Sequence, residues 1–462
     1  MTQSHSLLIK SLENHPISSL LWKNFLPAFI GVVVNSLYNV VDRIFIGQGV
    51  DALALSGLSA VFPVMIIQMA FGMLIGMGAG VRISINLGQR DYHRAEKVLG
   101  NAFVMLLLVS LIITSLGFAI KDPMLRLFGV SDATSKYAND YLNIVLFGSV
   151  FNVVGFSLNN LIRSEGNART AMVSMMISAG ANILLDPLFI FVFKMGVQGA
   201  ALATVISQML LCGWVLIHFR STRSIIRLRL SNFRLDSNIV WYIISIGFAP
   251  FSMQLASSIV QGAYNMQLTK FGGDIAVGAM GIINSVSVFL VMTVIAINMA
   301  AQPIIGFNYG ARHYRRVKET LITGIKAATL LCITGLLMIE IFPDPIIKVF
   351  NHDNSELLET GRNGMRILLA AMPLIGFQII AGNFFQSTGK AGVAALLSLL
   401  RQVIILLPAL MILPHFFNIQ GVWLAGPVAD TLSAIVVLFF LWREIKRLNV
   451  HIRYETRHLE KQ

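Results

Sequence analysis

The sequence predicts an all-α polytopic membrane protein, with twelve transmembrane helices in two six-helix lobes related by a pseudo-twofold axis along the membrane normal. Three observations predict it. The 462 residues are 56% hydrophobic and only 12% charged, with a mean hydropathy of +0.74, whereas soluble domains carry roughly 25% charged residues. Apolar runs of about 20 residues, whose helical rise crosses a hydrocarbon core of roughly 30 Å, recur from end to end. The chain also repeats itself at a shift of 222 or 223 residues.

The twelve runs fall near residues 24–48, 56–80, 96–119, 137–160, 168–193, 197–219, 239–268, 276–301, 318–342, 362–386, 390–413 and 419–442. Before the first, residues 5–22 are expected to form an amphipathic helix at the inner interface. Lys10, Glu13 and His15 lead straight into a full-length span, so no cleaved signal is expected.

The formal net charge of +13 would suit a nucleic-acid binder, but the placement of the charges argues for a membrane side instead. With the N-terminus taken as cytoplasmic, and charges in the first five residues of a span counted with the adjoining segment, 24 of the 35 Lys and Arg fall in inside segments and 8 in outside ones. This bias puts both termini in the cytoplasm. Clusters such as RDYHRAEK (90–97) and RSTRSIIRLRLSNFR (220–234) then face anionic lipid. Membrane lipids are expected partners and nucleic acid is not. Cys212 and Cys332 both lie inside spans, far apart, with no disulfide or zinc spacing.

The repeat is in register at four places. NLGQRDYHRAEKVL (86–99) matches NYGARHYRRVKETL (308–321), and DPMLRLF (122–128) matches DPIIKVF (344–350). RSEGNA (163–168) matches QSTGKA (386–391), and Gln198-Gly199 matches Gln420-Gly421. Inside loops fall on inside loops, so the halves share one orientation. The division expected is an N-terminal lobe over 1–219, a basic cytoplasmic linker over 220–238, and a C-terminal lobe with a basic tail over 239–462. A parallel repeat of this sort suggests a cavity between two lobes, the usual build of carriers that expose a central site to alternate sides.

No enzyme is expected, because no metal-ligand spacing, nucleophile elbow or phosphate-binding loop is present. No cofactor is expected. GMLIGMGAG (72–80) is glycine-rich, but on a membrane helix it lets helices approach closely.

Ionisable residues inside a span are costly and therefore mark function. The first span carries Asn35, Tyr38, Asn39 and Asp42 at i, i+3, i+4, i+7, one continuous polar stripe. The fifth repeats the device with Ser174, Ser178, Asn182 and Asp186, and the sixth adds Thr204 and Gln208. Asp42 and Asp186 each lie 18 residues past their inner starts, about 27 Å of helix rise. Pro187 has no amide hydrogen, so the carbonyl of Ile183 loses its partner and the helix is expected to kink. The freed carbonyl, Asn182, Asp186 and Thr204 form a set of oxygens suited to a proton or a small cation, and two carboxylates brought close titrate as a pair.

In the second half Asn265 stands where the repeat has Asp42, and Gln261 where it has Tyr38, so the acidic site is one-sided. The eleventh span carries Arg401 and the twelfth Asp430, each about 16 Å deep by helix rise. These are expected to form a midplane ion pair. Met65, Met69, Met73 and Met77 line one face of the second span, and pliable thioethers suit a cavity for varied apolar ligands as well as they suit packing. Asn35, Asn39, Met65, Met69, Met73, Asn152, Asn159, Ser178, Gln208, Gln261 and Asn265 are the expected cavity residues.

LYNVVDRIFIGQ (37–48), RSEGNARTAM (163–172), NILLDPLFIF (182–191), GVQGAALATVISQ (196–208), FFQSTGKA (384–391) and QGVWLAGPVAD (420–430) together resemble the multidrug and toxic compound extrusion (MATE) family, over nearly the whole chain. The resemblance implies a V-shaped twelve-helix exporter, a secondary active antiporter that exchanges apolar or cationic amphipathic compounds for H+ or Na+ by alternating access. It points to the DinF-like branch, whose coupling residues correspond to Asp42, Asn182, Asp186 and Thr204, with Tyr38 beside them; these four are also the candidate Na+ ligands. The other well-known branch places acids on helices 7 and 10, where this chain has Gln254, Gln261 and Asn265 and no acid within the tenth span. Arg43 is expected to snorkel outward rather than pair with Asp42. The implied setting is a bacterial cytoplasmic membrane, as a monomer with no obligate protein partner. The alternative is a flippase for a lipid-linked saccharide, which would want a cation-lined cleft; only Arg401 is a candidate for one.

Overall fold

The computed structural model describes residues 9, 11–13, 15–50, 52–127, 130, 132–350 and 355–459. Among them no strand occurs, and nine helices are long and apolar enough to cross a membrane, or ten if a bent pair is one span. Two of the nine are double. The helix Ser237–Gly310 is broken at Gly273, where φ is 64°, and the helix that ends at Leu459 is broken at Asn418, where φ is 50°.

Divided at those residues, the chain has the twelve spans expected. They are α1 (Ile17–Gly49), α2 (Ala52–Gly88), α3 (Tyr92–Ala119), α4 (Asp132–Ser164), α5 (Ala168–Pro187) and α6 (Gly196–Arg220). Then come α7 (237–272), α8 (274–310), α9 (Tyr314–Ile341), α10, α11 (391–417) and α12 (419–459). The tenth is not the single run expected. It is Ser355–Leu369 and Met372–Ser387 joined at a 41° bend, with Pro373 in the first turn of the second piece, where a missing amide costs nothing. Residues 17–22, expected within an interfacial helix, belong to α1.

The described residues form two compact units, one within Met1–Asn14 and Leu26–Phe251, the other within His15–Phe25 and Ser252–Gln462. The internal repeat is visible in backbone conformation within each. Arg90 and Arg312, 222 residues apart, both have positive φ (59° and 62°) at the turns before α3 and α9. Gly166 and Gly389 do the same before α5 and α11, at 90° and 77°. A tight left-handed residue thus recurs at each of these equivalent turns, although Arg tolerates it poorly. Asp91 and Asn167 then cap α3 and α5 by accepting from the amides of Arg94 (2.9 Å) and Thr170 (3.2 Å).

The glycine-rich stretch of α2 works as a close-packing surface. A Cβ on Gly78 would sit 2.1 Å from the Ile243 carbonyl oxygen, and one on Gly247 only 1.7 Å from that of Leu74. Backbones crossing at this distance leave no room for any side chain. Within the first unit, Ile46, Val61, Tyr141, Leu142, Val145, Ile190, Val197 and Ala201 form one buried apolar cluster. That cluster draws on the helices carrying the polar stripes and so fixes their facing edges.

The basic segment after α6 is fastened to the first unit. Glu165, buried, accepts from His218 Nε2 (2.5 Å), Ser224 Oγ (2.8 Å) and the Ile225 amide (3.1 Å). Glu96 accepts from the Arg227 amide (3.1 Å) and pairs with Arg229 (3.0 Å), while Asn101 accepts from the Asp236 amide (2.7 Å). Each carboxylate satisfies amides of a segment that has no ladder of its own.

Candidate functional site

Four helices of the first unit converge on one group of oxygens. On α5, Asn182 and Asp186 are one turn apart and fully buried, and Asn182 donates from Nδ2 to Asp186 Oδ1 at 3.3 Å. The half-buried carboxyl group of Asp42, on α1, lies beside that of Asp186. Thr204, on α6, is buried beside Tyr141, on α4. Tyr141 in turn faces Tyr38, Asp42 and Asp186.

The local chain explains this convergence. Pro187 closes the α-helical part of α5, which continues into a π turn, Leu188–Val192. A residue without an amide hydrogen is accommodated by the wider turn, a feature that recurs at functional sites. The π turn places Phe191 edge-on to Phe45 of α1, with ring centroids 6.1 Å apart, and Ile190 in the apolar cluster with Ile46. The last turns of α1 and α5 are thereby held together, one turn beyond the two acids.

The site consists of acceptors in need of a positive partner. Asp42 Oδ1, Asn182 Oδ1 and Asp186 Oδ2 are buried with no hydrogen-bond partner among the described residues. Two buried carboxyl groups side by side repel when both are ionised, so the pair favours a proton or a cation between them. A set of hard oxygens with unsatisfied lone pairs equally fits a small cation. No group of three His, Cys, Asp or Glu side chains suited to a metal ion occurs among the described residues. Arg43 is exposed and its guanidinium lies over the Phe62 ring, 5.4 Å from the centroid.

The other expected cavity residues have varied positions. Asn159 is buried and donates to the Ala171 carbonyl (2.9 Å) and Ser174 Oγ (2.6 Å), tying α4 to α5. Ser178 donates to the Ser207 carbonyl (3.0 Å), tying α5 to α6, and Asn152 donates to Gln68 Oε1 (3.0 Å), tying α4 to α2. Asn35 and Gln208 are half-buried; the Asn39 side chain lies outside the described residues. Met69 is exposed, Met73 and Met77 are half-buried, and Met65 packs against the apolar cluster. In the second unit Gln261 and Asn265 share an exposed face of α7, with Gln261 Nε2 3.4 Å from Asn265 Oδ1.

Also in the second unit, Arg401 pairs through Nε with Asp430, which is buried. Arg401 sits in a second π turn, Leu400–Leu406. Gln378 donates to the Asp430 carbonyl (2.9 Å) and accepts from Ser433 (2.6 Å), and Gln402 meets Ser257 at 3.1 Å. Tyr264 lies beside the pair.

Two residues with clear roles were not singled out from the sequence. Tyr141 looks like packing in a list of residues, and only the i, i+2 neighbourhood of Asn139 and Asn143 hints at a polar environment. Glu165, within RSEGNA, reads as a loop charge until its three partners are seen.

The sequence profile of the MatE family matches this chain twice, over residues 27–188 and 250–411, blocks that start 223 residues apart. The chain belongs to the MatE family. Membership makes it a membrane transporter rather than an enzyme. It is 25% identical over 438 residues to the multidrug export protein MepA of Staphylococcus aureus (strain N315), covering 95% of this chain and 96% of that one. It is 41% identical to the MATE multidrug transporter DinF-BH, with a TM-score of 0.85 over 92% of this chain and 95% of that one. A MOP superfamily transporter from Pyrococcus furiosus shares the fold, at 23% identity and a TM-score of 0.89 over 97% and 99% of the two chains. The higher identity to DinF-BH agrees with the branch that the residues of α1 and α5 resemble.

Proposed function

We propose that the chain is an antiporter that exports apolar or cationic amphipathic compounds in exchange for H+ or Na+, by alternating access across a bacterial cytoplasmic membrane with both termini inside. The observation that carries this reading is the contact between Asp42 and Asp186 from different helices, ringed by buried oxygens without partners. A kink alone needs no second acid. The names of MepA and DinF-BH, both multidrug transporters, supply the substrate class.

In this mechanism Asp42, Asp186, Asn182 and Thr204, with Tyr38 and Tyr141 beside them, hold the coupling ion. Ion arrival from outside neutralises the carboxyl pair and changes how α1 sits against α5, which lowers affinity for the exported compound. Release of the ion to the cytoplasm restores the charged pair. The ion drives export only through a difference in its affinity for the two states. A lipid-linked saccharide carrier would need free cations within the membrane, and the pairing of Arg401 with Asp430 weighs against that role.

Proteoliposomes loaded with a fluorescent organic cation test the proposal. Efflux is expected to accelerate under an inward H+ gradient or an inward Na+ gradient imposed separately. Efflux that is the same with either gradient and with none would make the protein a passive pathway.

A further inference from the structure

Where α5 begins and α6 ends, the first unit has an open cavity of about 420 Å³. One side of it is cationic, with Arg169 and Thr170 from the first turn of α5 and Arg223 from just beyond α6; the other is apolar, with Val173, Trp214 and Ile217. Both arginines are exposed, and neither has an ion-pair partner among the described residues. The nearby acids are engaged elsewhere, Glu165 by His218, Ser224 and Ile225, and Glu96 by Arg227 and Arg229. The α5 terminus is already capped by Asn167, so any anion here is met by side chains.

Two arginines without ion-pair partners lining one cavity suit a phosphate, which each can bind through paired N–H donors. The apolar side identifies what carries the phosphate. Leu210, Trp214 and Ile217 lie at i, i+4 and i+7 on α6 and are 46%, 41% and 68% exposed, a stripe running from the cavity toward the middle of the span. A free phosphate has no use for such a track, whereas an acyl chain does. The positive-inside bias assigns this end of α5 and α6 to the cytoplasm.

We propose that this cavity binds the headgroup of an anionic phospholipid of the cytoplasmic leaflet. Arg169 and Arg223 take the phosphate, and the lipid chain lies along Trp214 and Leu210. His218 and Ser221 also line the cavity. His218 holds Glu165, which fastens residues 224 and 225, so the bound lipid sits against the anchor of the basic segment. This inference does not rest on the transport reading.

Trp214 supplies the readout. The full-length protein is reconstituted in phosphatidylcholine vesicles, and brominated phosphatidylglycerol or brominated phosphatidylcholine is titrated in as quencher. The Trp214 signal is the difference between wild type and Trp214→Phe. Half-maximal quenching is expected at a roughly tenfold lower fraction of phosphatidylglycerol than of phosphatidylcholine, with the preference abolished in Arg169→Gln/Arg223→Gln. Equal quenching by the two lipids, or a preference that survives in the double variant, would overturn the proposal. So would displacement of the brominated lipid by inorganic phosphate but not by chloride of equal ionic strength, because the site would then be one for a free anion.

Discussion

The carboxyl group of Asp42 lies beside that of Asp186, bringing α1 and α5 together inside the first unit. Each leaves one buried oxygen unpartnered among the described residues. Asp42→Asn and Asp186→Asn keep the shape of the side chain and remove the shared ion. Both variants are expected to reach the membrane in wild-type amounts and to lose gradient-driven efflux down to the level of protein-free vesicles, read by surface expression and dye transport.

Tyr141→Phe deletes the hydroxyl beside Thr204 and leaves the ring in its apolar cluster. A net hydrogen bond is worth about 1 kcal/mol, so the concentration of coupling ion giving half-maximal efflux is expected to rise about fivefold. Maximal efflux stays near wild type. An unchanged ion dependence would remove Tyr141 from the site.

Gly247→Val forces a side chain into the carbonyl of Leu74, where even a Cβ would lie 1.7 Å away. Backbone atoms cannot rotate aside, so the cost falls at or above the upper end of the usual overpacking range of about 1–3 kcal/mol. A lower melting temperature in detergent is expected, and the same change at Gly262, which has open space, should leave melting near wild type.

Much of this architecture was legible in the sequence, for physical reasons. Spans announce themselves because lipid demands an apolar run of fixed length, and the segments matched by the repeat shift carry the positive φ shared by Arg90 and Arg312. The polar stripes were legible because in hydrocarbon a lone Asp186 stands out where the same residue in a soluble protein would not. What escaped depends on packing between distant segments. The bend in α10, the π turn after Pro187, and the apposition of Tyr141 to Thr204 follow from neighbours that no local pattern names.

Glu165→Ala removes an acceptor shared by His218, Ser224 and the Ile225 amide. Loss of one partner from a buried charged network costs about 3–5 kcal/mol, here confined to the segment it pins. Trypsin is expected to cut after Arg223 or Arg227 much faster than in wild type, while the transmembrane helices stay intact by circular dichroism. Equal cleavage rates would show that Glu96 and Asn101 suffice to hold the segment.

Asp430→Leu strands the Arg401 guanidinium in the interior of the second unit, again at about 3–5 kcal/mol. The double variant Arg401→Met/Asp430→Leu removes both charges and is expected to recover most of the lost melting temperature. Recovery of stability without recovery of efflux would give the pair a part in transport as well.

Coupling between ion and exported compound is tested most directly by linkage in the purified protein. The affinity for a fluorescent organic cation is measured by anisotropy across a pH series and a Na+ series, in wild type, Asp42→Asn and Asp186→Asn. If the carboxyl pair holds the coupling ion, dye affinity in the wild type falls as one of the two ions is added, and the dependence is lost in both variants. Dye affinity in the wild type that ignores both ions, or an ion dependence that persists undiminished in both variants, would contradict the account.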